Sequence, residues 1–199
     1  MKTTFEKIYS YDPCGRGWVT LCTNKLGTEL YDDMHLTAEQ LATEISILEI
    51  LESNGIKHAV WALRTQDYRD YCLFLADVAE SVLHLFEKEC PGDMRLRNLI
   101  AGIRRWHAGE ISDEELAELR IDDTIAAAYY ADAAYYDEAV AAAYAAAADE
   151  AAVAAAYAAV AADAAAYAVD ASASARASAR REQWQKVEML LRKHLGKGE

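Results

Sequence analysis

Only two prolines, Pro13 and Pro91, occur in 199 residues, and neither proline nor glycine lies between Glu110 and Leu195. With no breaker in that stretch, long helices are its default. The four cysteines, Cys14, Cys22, Cys72 and Cys90, form no CxxC pair and no dense disulfide spacing, so free thiols in a reducing compartment are expected. The five histidines, His35, His58, His84, His107 and His194, form no HxxxH and none lies beside a cysteine at metal-ligand spacing, so neither a metal site nor a cofactor is expected. No Walker loop, GxGxxG or GxSxG is present, which removes the commonest phosphate-binding and nucleophile-elbow signals. Met1 to Asp12 holds no apolar run of signal-peptide length, and the alanine-rich region is interrupted by acids that hydrocarbon tolerates poorly. A cytoplasmic protein with no membrane partner is the expectation.

Alanine and acid are what the chain has in excess. Thirty-two of the 60 residues from Ile121 to Arg180 are alanine, and the net charge is −13. Residues 1–109 carry 16 acids and 12 bases, residues 110–175 carry 14 acids and one base, and residues 176–199 carry 3 acids and 7 bases. The middle segment alone thus accounts for the whole excess.

The first 120 residues read as about four to five helices. Thr37-x-x-Gln40 is a capping box that opens a helix through Leu41, Ile45, Leu48 and Leu51, which Asn54-Gly55 ends. The lead-in Asp12-Pro13-Cys14-Gly15-Arg16-Gly17-Trp18 turns into a short helix near Trp18 to Cys22. Ile56 to Arg64 follows, then a helix from Asp67 to Glu89 with Tyr71, Leu75, Val78, Val82 and Phe86 on one stripe. Met94 to His107 turns Leu96, Leu99, Ile100, Ile103 and Trp106 inward, and Trp61 is expected in the core beside them. A second capping box, Ser112-x-x-Glu115, starts a short acidic helix. No strand hairpin is legible. The fold class is therefore all-α: a helical domain over 1–120, then long alanine-rich helices and a basic amphipathic C-terminal helix over 121–199. Ser172, Ser174 and Ser178 mark a place for a bend within the second part.

Chemistry is sparse. His84 reads as partly buried core. Cys14-Gly15-Arg16 sets a thiol beside a cation, but spacing assigns the thiol no base, so a turn residue is expected. Adjacent acids such as Asp122-Asp123 and Asp149-Glu150 diverge by about 100° on a helix and make poor catalytic dyads. Direct nucleic-acid binding needs a basic footprint. The two basic clusters, Arg95-Arg97-Arg104-Arg105 and Arg176-Arg180-Arg181, are expected to pair with the chain's own acids.

The candidate partner-binding residues are the acids of the alanine-rich region: Asp122, Asp123, Asp132, Asp137, Glu138, Asp149, Glu150, Asp163 and Asp170. On one unbroken helix, Glu138, Asp149, Asp163 and Asp170 fall within about 60° of each other, with Tyr129, Tyr136, Tyr144 and Tyr157 mainly opposite. Such a ridge suits a protein partner with a basic surface. Two other readings remain open: the acids keep an alanine helix soluble while the tyrosines pack on the first domain, or the region self-associates into a homo-oligomer.

Asp12-Pro13-Cys14-x-x-Gly17-Trp18, then Ile50-Leu51-Glu52-Ser53-Asn54-Gly55 leading to Trp61-Ala62-Leu63-Arg64, then the alanine-rich tail, resembles a group of bacteriophage and prophage proteins. Leu73-Phe74-Leu75-Ala76-Asp77 through Phe86-Glu87-Lys88 to Trp106-His107-Ala108-Gly109-Glu110 resembles immunity proteins with an Imm-5-like helical domain. The resemblance implies mobile-element biology and supplies no catalytic residues. The expectation is a non-enzymatic acidic inhibitor of a bacterial nucleic-acid-targeting defence complex, anti-CRISPR-like, blocking a basic site on a CRISPR effector. The alternatives are an immunity protein capping a nuclease toxin, or a self-assembling helical protein.

Overall fold

A computed structural model describes residues 1–27, 36–89, 91–120 and 173–196. These are mostly helical. The chain divides into two compact units, Met1–Asp70 with Leu195–Glu199, and Tyr71–His194.

The first unit begins with strand β1, Lys2–Thr4, and helix α1, Phe5–Tyr9. Thr4 caps α1 by accepting from the Lys7 N–H at 3.1 Å. Helix α2 spans Gly15–Leu26 and closes on Gly27 in the left-handed conformation, which glycine adopts without a Cβ penalty. It is longer at both ends than the sequence suggests. Asp12 sits at φ 54, a region that a short polar side chain tolerates. It turns the chain into Pro13 before the helix starts.

The helix expected from Thr37 to Asn54 is instead three elements. Helix α3, Ala38–Leu41, carries the predicted capping box. Strand β2 is Glu44–Ser46 and helix α4 is Ile47–Asn54. Ser46 and Glu49 form a further capping box at the start of α4, hidden in the sequence because Leu41, Ile45 and Leu48 happen to keep helical spacing across the break. Strand β2 pairs antiparallel with β1, Thr3 opposite Ile45, so the chain does contain a small two-stranded sheet. Ile45 still reaches the core through the strand, whereas Leu48 is exposed. Helix α5, Ile56–Ala62, runs into a 3₁₀ turn over Leu63–Thr65. Phe5, Ile8, Leu21, Cys22, Ile47, Ile50, Leu51, Val60 and Leu63 form this unit's buried core. Trp18 packs against Phe5 and Tyr9 with ring centroids 5.9 and 5.3 Å apart. Trp61 is only half-buried, and the Arg64 guanidinium lies 4.5 Å from its ring centroid, so it is not the core residue expected.

The second unit is built on helix α6, Tyr68–Glu89, and helix α7, Arg95–His107. Tyr71, Phe74, Leu75, Val78 and Leu83 of α6 are buried, as are Leu96, Leu99, Ile100 and Ile103 of α7. The side chains of Val82 and Phe86 lie outside the described set. Trp106 departs from expectation: it is half-buried and its indole N–H donates to the Asp113 carboxylate. His84 is exposed rather than partly buried, because at about 100° per residue it falls on the side of α6 away from the stripe of Tyr71, Leu75 and Val78. Helix α8 covers 113–120 and opens with the predicted Ser112–Glu115 box, whose two bonds measure 2.8 and 3.2 Å.

Helix α9, Ala173–Leu195, runs through Ser174 and Ser178 without a break. The bend expected there is therefore absent over the described part, and Ser172 lies outside it. Val187 and Leu191 of α9 are buried, and the Lys186 ammonium donates to the Ser81 carbonyl at 3.4 Å. Among the described residues no helix is long and apolar enough to cross a membrane.

Candidate functional site

The nine acids singled out as partner-binding, Asp122, Asp123, Asp132, Asp137, Glu138, Asp149, Glu150, Asp163 and Asp170, all lie outside the described residues. So do the tyrosines of the opposite face. What the structure does place is the framework on either side of them in sequence.

That framework is fastened by a charged cluster in the second unit. Asp77 on α6 accepts from Arg104 of α7 at 2.9 Å and from Lys193 and His194 of α9 at 3.1 and 2.9 Å. An ionised carboxylate only accepts, so the His194 Nε2 must carry a proton. Arg104 also pairs with Glu80 at 2.6 Å. Burial of Asp77 works to push its carboxyl up, but the hydrogen bonds from His194, Arg104 and Lys193 outweigh it and hold the group at about 2. Glu80 is likewise lowered, first through its bond to Arg104. The Phe74 ring meets the His194 imidazole edge-on at 6.2 Å. One carboxylate thus joins three helices.

The remaining arginines of the first basic cluster are also paired within the chain: Arg95 with Asp93, Arg97 with Glu87, and Arg105 with Glu110. This agrees with the expectation that these cations serve the protein's own acids. In the second cluster Arg181 is exposed, and the side chains of Arg176 and Arg180 lie outside the described set.

The first unit holds a juxtaposition that sequence reasoning missed. Cys14, at the N-cap of α2, has its Sγ 3.8 Å from Nε2 of His58 on α5. The His58 Nδ1 lies 2.8 Å from the Asn54 carbonyl oxygen, and the Asn54 side chain donates to the Gly17 carbonyl at 2.8 Å. Asn24 of α2 donates to Ser53 Oγ at 3.1 Å. The Asp12-to-Trp18 segment and the Ile50-to-Gly55 segment, separate in sequence, are therefore neighbours. No local pattern in either segment signalled it, since Cys14 and His58 stand 44 positions apart. Cys22 and Cys72 are buried, and burial pushes the Cys22 thiol up to about 11; Cys90 lies outside the described residues. Among the described residues no group of three or more His, Cys, Asp or Glu could hold a metal ion.

A family model described as Imm-5 like putative immunity protein matches residues 62–192, about two thirds of the chain. The match takes in α6, α7, α8 and most of α9, and so contains Asp77, Glu80 and Arg104. It leaves out the Cys14–His58 pair. No curated protein and no solved structure matches the chain.

Proposed function

This chain belongs to the Imm-5 like putative immunity protein family, and from that premise we propose that it is a non-enzymatic immunity protein that neutralises a protein toxin by binding it. The family match is the observation that carries this reading. The charge distribution refines it: the segment 110–175, with 14 acids against one base, suits a toxin whose working surface is basic, as a nuclease's must be to hold phosphates. Complementary charge speeds encounter and selects the partner. The acids from Asp122 to Asp170 form the proposed contact surface. The ion-paired helices of the second unit, which flank that segment in sequence, form its support.

The same acidic segment supports a second reading, occupation of the nucleic-acid site of a CRISPR effector. It rests on charge and on the likeness to phage proteins, whereas the toxin reading has the family match besides. The full chain used as bait in its bacterial lysate, followed by a stoichiometric inhibition assay on what is captured, separates the two. Capture and inhibition of a basic toxin is expected. Capture of a CRISPR effector whose DNA binding is lost would replace the first reading with the second, and a captured toxin that stays fully active would sink it.

A further inference from the structure

We propose that Cys14 and His58 form a thiol–imidazole pair that makes Cys14 a selective nucleophile for thiol–disulfide exchange with small disulfides. The proposal concerns the first unit, outside the family match, and is independent of what the acidic segment binds.

A carbonyl oxygen can only accept, so the 2.8 Å contact between Asn54 O and His58 Nδ1 places the ring proton on Nδ1. In the neutral ring the unprotonated nitrogen is then Nε2, the atom that faces Cys14 Sγ at 3.8 Å. A base held in one tautomer by a third group, beside a nucleophile, is the general arrangement of an activated thiol. Cys14 is exposed and His58 half-buried, so a small reagent reaches the sulfur while the ring stays fixed.

Gly17 makes the arrangement possible. A Cβ at that position would lie 2.6 Å from both Cδ2 and Nε2 of His58 and 3.0 Å from Cys14 Sγ. Any other residue would have to drive the ring off the sulfur. The Asn54 side chain clamps the Gly17 carbonyl, so the backbone that carries the thiol and the backbone that carries the base are tied to one another. Cys22, on the same helix, supplies the contrast: it is buried, its thiol is pushed up to about 11, and it stays protonated and inert.

The exchange balances without a further reagent. His58 Nε2 takes the Cys14 proton, and the thiolate attacks one sulfur of R–S–S–R. The Cys14–S bond forms as the S–S bond breaks, and the departing RS⁻ takes the proton back from the imidazolium to leave as RSH. Exchange needs only a thiolate and access, which the pair provides; transfer of a larger group would need side chains to hold it.

The test uses the full chain carrying Cys90→Ser, with oxidised glutathione as the probe and mass spectrometry of the Cys14 peptide as the readout. The reference is a synthetic peptide of residues 10–20. Cys14 in the folded chain should react about threefold faster than in the peptide at neutral pH, the larger thiolate fraction being partly offset by lower nucleophilicity. His58→Gln removes the base, and Gly17→Ala keeps both groups but separates them; each should return the rate to that of the peptide. Circular dichroism identifies a variant that fails to fold, and the comparison of the parent with the peptide decides even then. A folded chain that reacts no faster than the peptide, or folded variants as fast as the parent, would overturn the proposal.

Discussion

Asp77 and His194 stand 117 positions apart in the chain and meet at 2.9 Å. The alanine-rich segment lies between them in sequence, so the chain that leaves the helices of the second unit returns to the same carboxylate. Arg104 and Lys193 complete the set, and removal of any one cation leaves a largely buried acid short of a partner.

The acid dependence of stability follows from this. The Asp77 side chain is 19% exposed, and its carboxyl falls from an ordinary 3.8 to about 2 on folding. A carboxylate lowered in the folded state contributes stability above its unfolded value and loses it as the pH falls through the folded value. The contribution, about 2 kcal/mol, is therefore complete above about pH 4 and fades toward pH 2. Protection of the α6 and α7 amides against hydrogen exchange, taken relative to the intrinsic rate at each pH, should fall across that window in the parent. Asp77→Asn should exchange faster at neutral pH and respond less to acid. Equal pH profiles for the two proteins would show that the cluster carries no such linkage.

Charge reversal of the ridge separates binding from solubility. Glu138, Asp149, Asp163 and Asp170 changed together to Lys should abolish capture of the partner, since Lys is also a good helix former and the fold should survive. Parent binding should weaken with salt, mainly through a slower on-rate, as exposed charges are screened over about 8–10 Å. Four reversals in the first domain, at Glu29, Asp32, Glu39 and Glu44, form the charge-matched control. Equal losses would mean that only net charge matters; no loss from the ridge would move the contact to the tyrosines or the first domain.

Two aromatic truncations rank the core of the second unit. Phe74 is fully buried, and Phe74→Ala should cost about 3–5 kcal/mol. Trp106 is half-buried against Asp113, so Trp106→Ala should cost about half as much. Denaturant titration of both variants checks the order, and a reversed order would put the wrong face of α7 inward.

The concealed cap at Ser46 offers a local measurement. Its Oγ accepts from the Glu49 N–H at 3.1 Å, and Glu49 returns the bond to the Ser46 N–H at 2.9 Å. Ser46→Ala should destabilise the first unit by about 1 kcal/mol. An unchanged denaturation midpoint would mean that water replaces the cap without cost.

The sequence alone determined whatever depends on neighbours within a few positions. The boxes at Thr37 and Ser112, the stop at Gly55 and the buried stripes of α6 and α7 were legible because capping and helical periodicity act over three or four residues. The same reach explains the errors. Leu41, Ile45 and Leu48 kept the period of a helix while the chain between them formed a strand, and nothing nearby could reveal that Ile45 pairs with Thr3. Trp61 and Trp106 read as core by residue type, although Arg64 and Asp113 hold each at the surface. Only the tertiary structure brought Cys14 to His58 across 44 positions, or gave Asp77 its cations from α7 and α9. Such contacts are fixed by how the helices pack, with the closure entropy of the long intervening chain offset by buried apolar surface, and that sum is not written in any local pattern.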